Sequence, residues 1–435
     1  MNLNRIKQQL LRLKPEYFDY KLNNRINLKN IQKNFINFYN EDTIQPYIPA
    51  IAGGPWILTT EDKLIYDAGG YGMLGLGHNP YDVLNKLSKP QVMANIMTPN
   101  YSQLEFSNLL LNEIGDHNKI IALNSGSEAN TLAMRIANIH NKSNSVLVSM
   151  KGSFHGRTEN PSKVSESCQN SYIKYLNEYN NKYNYNNKKI YFIDYNNLNN
   201  LEETFNIIKK NNEFPEITLF EPVQGEGNPG NSITPSFYNK LRKLTKEMGG
   251  LLLADSIQAG IRCTGELSIT RYPGFENIDP PDFETFSKAL NAGQFPLSIL
   301  AVNKNIKNRY KTGLYGNTMT GNPRGLDIAS VVLKNITPQL KINIINSGKL
   351  LLEYFKNLEQ TYPFINNITG TGLLLAIHLD KSIPVLEIEK NLRLRGLNVI
   401  HGGENALRFT PWFKINKEEI EYICSILEDE FDTLL

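Results

Sequence analysis

The stretch LLLADSIQAG (251–260) runs four apolar or small residues, Leu251 to Ala254, directly into a carboxylate, Asp255. Such a run reads as a central strand of a parallel sheet, buried on both faces. A carboxylate at its end is costly unless a cation or hydrogen-bond donors meet it. A second run, PPDFETFSKALNAG, sets Lys288 at the end of another strand, among small and apolar residues. Burial lowers a lysine's pKa and favours the neutral amine that attacks a carbonyl carbon. Taken alone, Lys288 reads equally well as a surface lysine whose stem lies along apolar neighbours.

Two loops add to this pair. NSGSEANTLAMRIANI (124–139) has Ser125 and Glu128 at the spacing of a capping box, with Leu132, Ala133, Ile136 and Ala137 on one helical face. Gly126 permits close backbone approach, and the unpaired N–H groups of a helix start form a ready anion site. The plainer reading is an ordinary capped helix. KGSFHGRT (151–158) follows a predicted strand. Phe154 there can stack on a planar ring, or Phe154 and His155 can be ordinary core residues. Together, a phosphate cradle, a stacking aromatic, a strand-end acid and a strand-end lysine are the parts that hold a phosphorylated pyridine aldehyde as a Schiff base.

The elements that must position these residues follow from hydropathy. Short apolar strands (SVLVSM, KIYFID, ITLFEPV, GLLLADS, FETFS, LSILAV) alternate with helical patterns from about 80 to 330. That alternation predicts an α/β fold with a mostly parallel sheet and helices on both faces. WILTTEDKLIYDA (56–68) predicts a hairpin, and GLLLAIHL, LNVIHG and a last helix over about 416–433 predict a smaller α+β domain. The expected organisation is an N-terminal segment (1–60) contributing to the small domain, a large domain (61–325) and a small C-terminal domain (326–435). The Asn-, Lys- and Tyr-rich stretch within 167–200 reads as a loop or polar helix without a functional role.

Composition narrows the function classes. With 435 residues, 40% hydrophobic and 20% charged, the chain can bury a large core in more than one domain. A net charge of +3 without a basic block gives no case for a nucleic-acid partner. No apolar run approaches the roughly 18–20 residues of a membrane span. Cys168, Cys263 and Cys424 show neither metal spacing nor a disulfide framework, so no metal site is expected and a reducing, cytoplasmic compartment fits. Residues 1–15 carry Arg5, Lys7, Arg12 and Lys14 without an acid. They read as an amphipathic helix or, alternatively, as a mitochondrial presequence. No G-x-G-x-x-G or Walker loop sits at a strand–helix junction, which argues against a nucleotide-binding doubly wound fold.

The wording LNSGSEANTLAMRIA, GSFHGRT, LFEPVQGEG, LLLADSIQAGIRCTGEL, PDFETFSKALNAGQFPLS and YGNTMTGNPRGLDIA, in this order, resembles the class III aminotransferases, pyridoxal 5′-phosphate enzymes of fold type I. DAGGYGMLGLGHNP and LRFTPWF extend the likeness to most of the chain. The resemblance implies that Lys288 carries the Schiff base and shuttles a proton, and that Asp255 pairs with the pyridine nitrogen. By the same likeness Gly126 and Ser127 contact the phosphate, with His155 also in the cofactor site. Phe154 and Ile257 cover the two ring faces, and Gln258 bonds the phenolic oxygen. Thr318 matches the threonine that reaches the partner subunit's phosphate, which implies a homodimer with shared sites. Arg408 matches the arginine for the substrate α-carboxylate, and Glu226 the glutamate that covers it. Arg157 matches an arginine for a distal carboxylate, and Tyr71 a substrate-side aromatic; each charged residue could instead be a structural ion pair.

The expected reaction is transfer of an amino group from an ω-amino donor such as ornithine, lysine or 4-aminobutyrate to 2-oxoglutarate. Alternatives on the same scaffold are an aminomutase, an amino-acid racemase or epimerase, and a non-catalytic cofactor-binding protein. The chain departs from the family wording at Ser256, where most members have Glu, at TGNP (320–323) and at IRCTG (261–265).

Overall fold

The computed structural model describes residues 1–13, 28–36, 43–93, 95–115, 118–139, 144–168 and 188–435. The Asn-rich tract of 169–187 lies outside the described residues. The first helix, Leu3–Leu11, packs on the first strand, where Leu10 and Leu13 close on Gly53. Strands β1 (Pro49–Gly53), β2 (Trp56–Thr59) and β3 (Leu64–Asp67) form an antiparallel meander, and the expected hairpin is β2–β3.

The large sheet comprises β4 (Asn118–Leu123), β5 (Ser145–Met150), β6 (Ile190–Ile193), β7 (Phe214–Phe220), β8 (Leu251–Asp255), β9 (Phe283–Phe286) and β10 (Ser298–Asn303). Their spatial order is β4-β10-β9-β8-β7-β5-β6. All pairings are parallel except those of β10, which runs antiparallel to both β9 and β4. The apolar run that opened the sequence is β8, fully enclosed. Side chains alternate across a sheet, so Leu251 and Leu253 pack with helix Gly126–Ile139 on one face. Leu252 and Ala254 pack with helix Pro235–Glu247 on the other. Burying each leucine stabilises the fold by roughly 1.5–3 kcal/mol. The same alternation turns Asp255 toward helix Gly126–Ile139.

A second antiparallel sheet, in the order β11-β12-β15-β14, holds β11 (Ile365–Thr371), β12 (Leu374–Leu379), β14 (Ile400–Gly402) and β15 (Ala406–Phe409). The segment LNVIHG, expected as one strand, is two. Leu397–Asn398 (β13) pairs in parallel with β3, and Ile400–Gly402 pairs with β15. The break at Val399 lets one segment serve two sheets, and Gly69 has no side chain because its backbone lies against that of Val399. Helix Lys417–Phe431 begins with a reciprocal Asn416–Glu419 capping box. Among the described residues no helix is long and apolar enough to cross a membrane.

Candidate active site

The cavity lies at the C-terminal ends of β5, β7, β8 and β9, where open parallel sheets bind ligands. It encloses about 160 Å³. Of the residues singled out in the sequence, Gly126, Ser127, Phe154, His155, Glu226, Asp255, Ile257, Gln258, Lys288 and Arg408 all line it. Among the described residues no cluster of acids, histidines and cysteines could hold a metal ion.

The cradle forms as the capping box predicts. Glu128 accepts from the backbone N–H groups of Asn124 (2.9 Å) and Ser125 (3.2 Å), and Ser125 Oγ accepts from Glu128 N. The N–H groups of Gly126 and Ser127 have no acceptor among the described residues and border the cavity. A side chain at Gly126 would strike Ile257 at 2.5 Å, and one at Gly156 would strike Ser127 Oγ at 2.2 Å. The cradle therefore depends on both glycines.

Asp255 is 3% exposed. Its Oδ2 accepts from Asn130 Nδ2 at 2.8 Å and lies 2.8 Å from His155 Nδ1, while Oδ1 accepts from Ile257 N at 3.2 Å. Thr285 Oγ1 donates to Asn130 Oδ1 at 2.9 Å and so fixes the amide that holds the acid. Three buried side-chain atoms of cavity-lining residues, His155 Nε2, Gln258 Nε2 and Arg408 Nε, have no hydrogen-bond partner among the described residues. Orphan polar atoms around a cavity with a free-amide cradle and a strand-end acid fit a ligand that carries a phosphate and a ring nitrogen.

Lys288 follows β9 with φ +46, a left-handed backbone that strains any residue with a side chain. Its Nζ donates to Gln258 Oε1. Burial lowers the amine to about 8, and Arg408 pushes the same way, while Glu226, Asp255 and Glu221 oppose them. The lysine is thus close to the uncharged form that a nucleophilic amine needs.

Arg408, on β15, donates through Nη1 to Glu226 Oε2 at 2.7 Å and to Gly225 O. Burial acts to raise the Glu226 pKa, but Arg408 and Lys288 outweigh it and hold the carboxyl below the usual range. The Glu226 loop touches the second sheet through Gly403 N, which donates to Glu226 O at 2.6 Å. Three expected site residues stand outside the cavity wall. Arg157 sits 5.8 Å over the Phe154 ring. Tyr71 is 41% exposed, on a turn whose next residue, Gly72, abuts Gln258. Thr318 is exposed on the loop before Gly321.

Sequence reasoning passed over three residues. Asn130 interrupts an apolar helix face, and that interruption was its signal. Thr285 gives none. Glu221 directly follows β7; it accepts from Phe154 N and Gly225 N, and burial raises it to about 7. Ser256 is accounted for too. Its Oγ donates to Glu284 Oε1 at 2.6 Å, and Glu284 also accepts from Ser268 Oγ and Ile269 N. Burial raises Glu284 to about 7. A buried carboxyl thus bonds position 256 from the neighbouring strand.

Comparison with known proteins agrees with this geometry. The family model described as Aminotransferase class-III matches residues 39–431. Acetylornithine aminotransferase of Prochlorococcus marinus is 28% identical, over 88% of this chain and 91% of the relative. Succinylornithine transaminase of Photorhabdus laumondii is also 28% identical, over 91% and 96%. Among solved structures, the ornithine aminotransferase from Toxoplasma gondii superposes with a TM-score of 0.79 at 21% identity, covering 100% of this chain and 99% of that one.

Proposed function

The chain belongs to the class III aminotransferase family, whose enzymes depend on pyridoxal 5′-phosphate, and from that premise we propose that it moves an amino group from an ω-amino donor of the ornithine type to 2-oxoglutarate. The cofactor, when bound, supplies an aldehyde that captures amines and a cationic ring that takes up electrons. This chain's residues do the rest. The Gly126 and Ser127 N–H groups hold the phosphate. Phe154 and Ile257 confine the ring, and Gln258 meets its phenolic oxygen. The Asp255 carboxylate keeps a proton on the ring nitrogen. The Lys288 amine would hold the proton taken from the substrate Cα, as general base and then general acid.

The observation that carries the donor class is the Glu226–Arg408 pair on the cavity wall. With Glu226 on it, Arg408 offers no free charge, and a substrate can enter amine first. With Glu226 displaced, Arg408 takes the α-carboxylate of glutamate or 2-oxoglutarate bidentately. Arg157 and Tyr71 act at the far end of the substrate. The three relatives named above carry names of ornithine or its acyl derivatives, which supports this donor class. Arg408→Gln is expected to raise the KM for 2-oxoglutarate about 10- to 100-fold, since a charge-assisted carboxylate contact is worth roughly 1.5–3 kcal/mol. The half-reaction with the donor, followed by the cofactor's absorbance, should change far less. An equal loss in both halves removes the switch reading. Turnover of a donor without any 2-oxo acid replaces the transaminase with the aminomutase or racemase alternative.

A second copy of the chain completes the site. Val92, Met93, Ile96, Met97 and Tyr101 are exposed, a stripe of apolar surface uncommon on a monomer. Ile96 N donates to Thr320 O, which joins the stripe to the loop of Thr318. Covered by a partner, that loop delivers Thr318 to the other subunit's phosphate. Sedimentation velocity should report a dimer at micromolar concentration, and a monomer with full activity excludes the shared site.

A further inference from the structure

Arg262 is fully buried, yet it has no carboxylate partner among the described residues. Its guanidinium is held by backbone carbonyls from three separate segments. Nη1 donates to Leu373 O at 3.2 Å and to Pro411 O at 2.5 Å, and Nη2 donates to Gly72 O at 3.2 Å. The ring of Phe413 lies 5.0 Å from the guanidinium carbon and offers its negative face. The adjacent Cys263 thiol supplies no counter-charge, because burial pushes it up to about 12. Burial also lowers Arg262, to about 10, so the cation persists at neutral pH.

The backbone is bent to deliver this side chain. Ile261 has φ +68, an outlier for a β-branched residue, and such conformations survive only where surrounding contacts over-determine them. Gly372, with φ +56, brings its backbone so close that a side chain would strike Cys263 O at 2.1 Å. The three carbonyls belong to segments that lie behind the cavity wall. Gly72 follows Tyr71 and abuts Gln258; Pro411 closely follows Arg408; Leu373 directly precedes β12, the neighbour of β15. One further bond joins two of these segments, from Gly72 N to Thr410 Oγ1 at 3.3 Å.

We propose that Arg262 is a positioning residue that sets the length of the substrate site. By drawing the carbonyls of Gly72 and Pro411 onto one guanidinium, it fixes the turn carrying Tyr71 relative to the strand carrying Arg408. The inference rests on the proposed roles of those two residues at opposite ends of the substrate. Only a planar fork with several donors serves this purpose, since an ammonium cannot span three carbonyls on separate segments in one plane.

The test compares 2-oxoglutarate with 2-oxoadipate, which differ by one methylene, as acceptors from ornithine in the holoenzyme, since the acceptor is the substrate that reaches both Arg408 and the far end. In the wild type one methylene should separate their kcat/KM values by about tenfold or more. Arg262→Met is expected to bring the ratio close to one, with KM rising more than kcat falls and the cofactor's absorbance unchanged. Thr410→Val, which loosens the same junction without touching the cation, should move the ratio the same way by about twofold. An unchanged ratio in the folded variants overturns the proposal even if the melting temperature drops, because a purely structural arginine changes stability and not chain-length preference. A wild type that accepts neither 2-oxo acid overturns the proposed function, and this proposal with it.

Discussion

Lys288→Ala is expected to abolish turnover while the protein still folds and dimerises. Among the described residues the lysine is the one amine on the cavity wall, and proton transfer by a positioned group alone contributes about 10²–10⁴-fold. Measured rates with saturating cofactor should fall by at least that much, and retained activity refutes the assignment. The loss should not be accompanied by instability. Burial lowers the Lys288 pKa from 10.5 to about 8, so the folded state binds this proton less well than the unfolded chain. The stability linked to this group is full above pH 10.5, declines as pH falls toward 8, and stays low below it. The penalty at neutral pH is about 3 kcal/mol, from 1.36 kcal/mol per pKa unit. Lys288→Met, which keeps the length and sheds the charge, should therefore melt higher than the wild type at pH 7 when both are cofactor-free. The gap should close toward pH 10.5. A Met variant that melts lower at pH 7 shows that the amine is not desolvated at a cost. A catalytic group kept at the expense of stability is what functional sites lead one to expect.

How far the sequence reveals this site depends on the range of the forces. β8 is legible because a strand buried on both faces must be apolar throughout, and four consecutive residues from Leu251 suffice to show it. β11, with the polar sequence INNITGT, carries no such mark because only Ile365 and Ile368 are buried and a register shift after Ile365 breaks the alternation. β13 and β14 read as one strand because the choice between two sheets is made by distant partners, β3 and β15. The same holds for the site. Lys288, Asp255 and the capping box of Ser125 and Glu128 act through local chemistry that a sequence displays. Asn130 reaches Asp255 across 125 positions of chain, and Arg262 is caged by carbonyls that every residue possesses. A polar residue on an apolar face marks Asn130 but not its partner, and the carbonyl cage leaves no residue-type mark at all. Thr318 is harder still, since its proposed partner belongs to another subunit.

Asp255→Asn tests what balances the buried acid. In this structure the carboxylate is met by an amide, a backbone N–H and an imidazole nitrogen, and by no lysine or arginine within ion-pairing distance among the described residues. Hydrogen-bond donors keep a carboxylate ionised, yet a charge this deep is costly without a cation. On the proposed function, the protonated ring nitrogen of the cofactor would fill that role, and Asp255 in turn would keep the nitrogen protonated. Removing one partner of a buried pair costs about 3–5 kcal/mol, which predicts a loss of roughly 10²–10³-fold or more in the donor half-reaction together with weaker cofactor binding. Asparagine keeps the shape, but its amide hydrogens then face Asn130 Nδ2 or Ile257 N, both donors, so part of the local network must turn. Melting of the cofactor-free protein separates that structural cost from the electrostatic one. If the variant reacts as fast as the wild type, the ring nitrogen needs no charge partner here. If it loses rate while the cofactor-free fold keeps its stability, the cation that Asp255 is built to meet comes from the ligand and not from the chain.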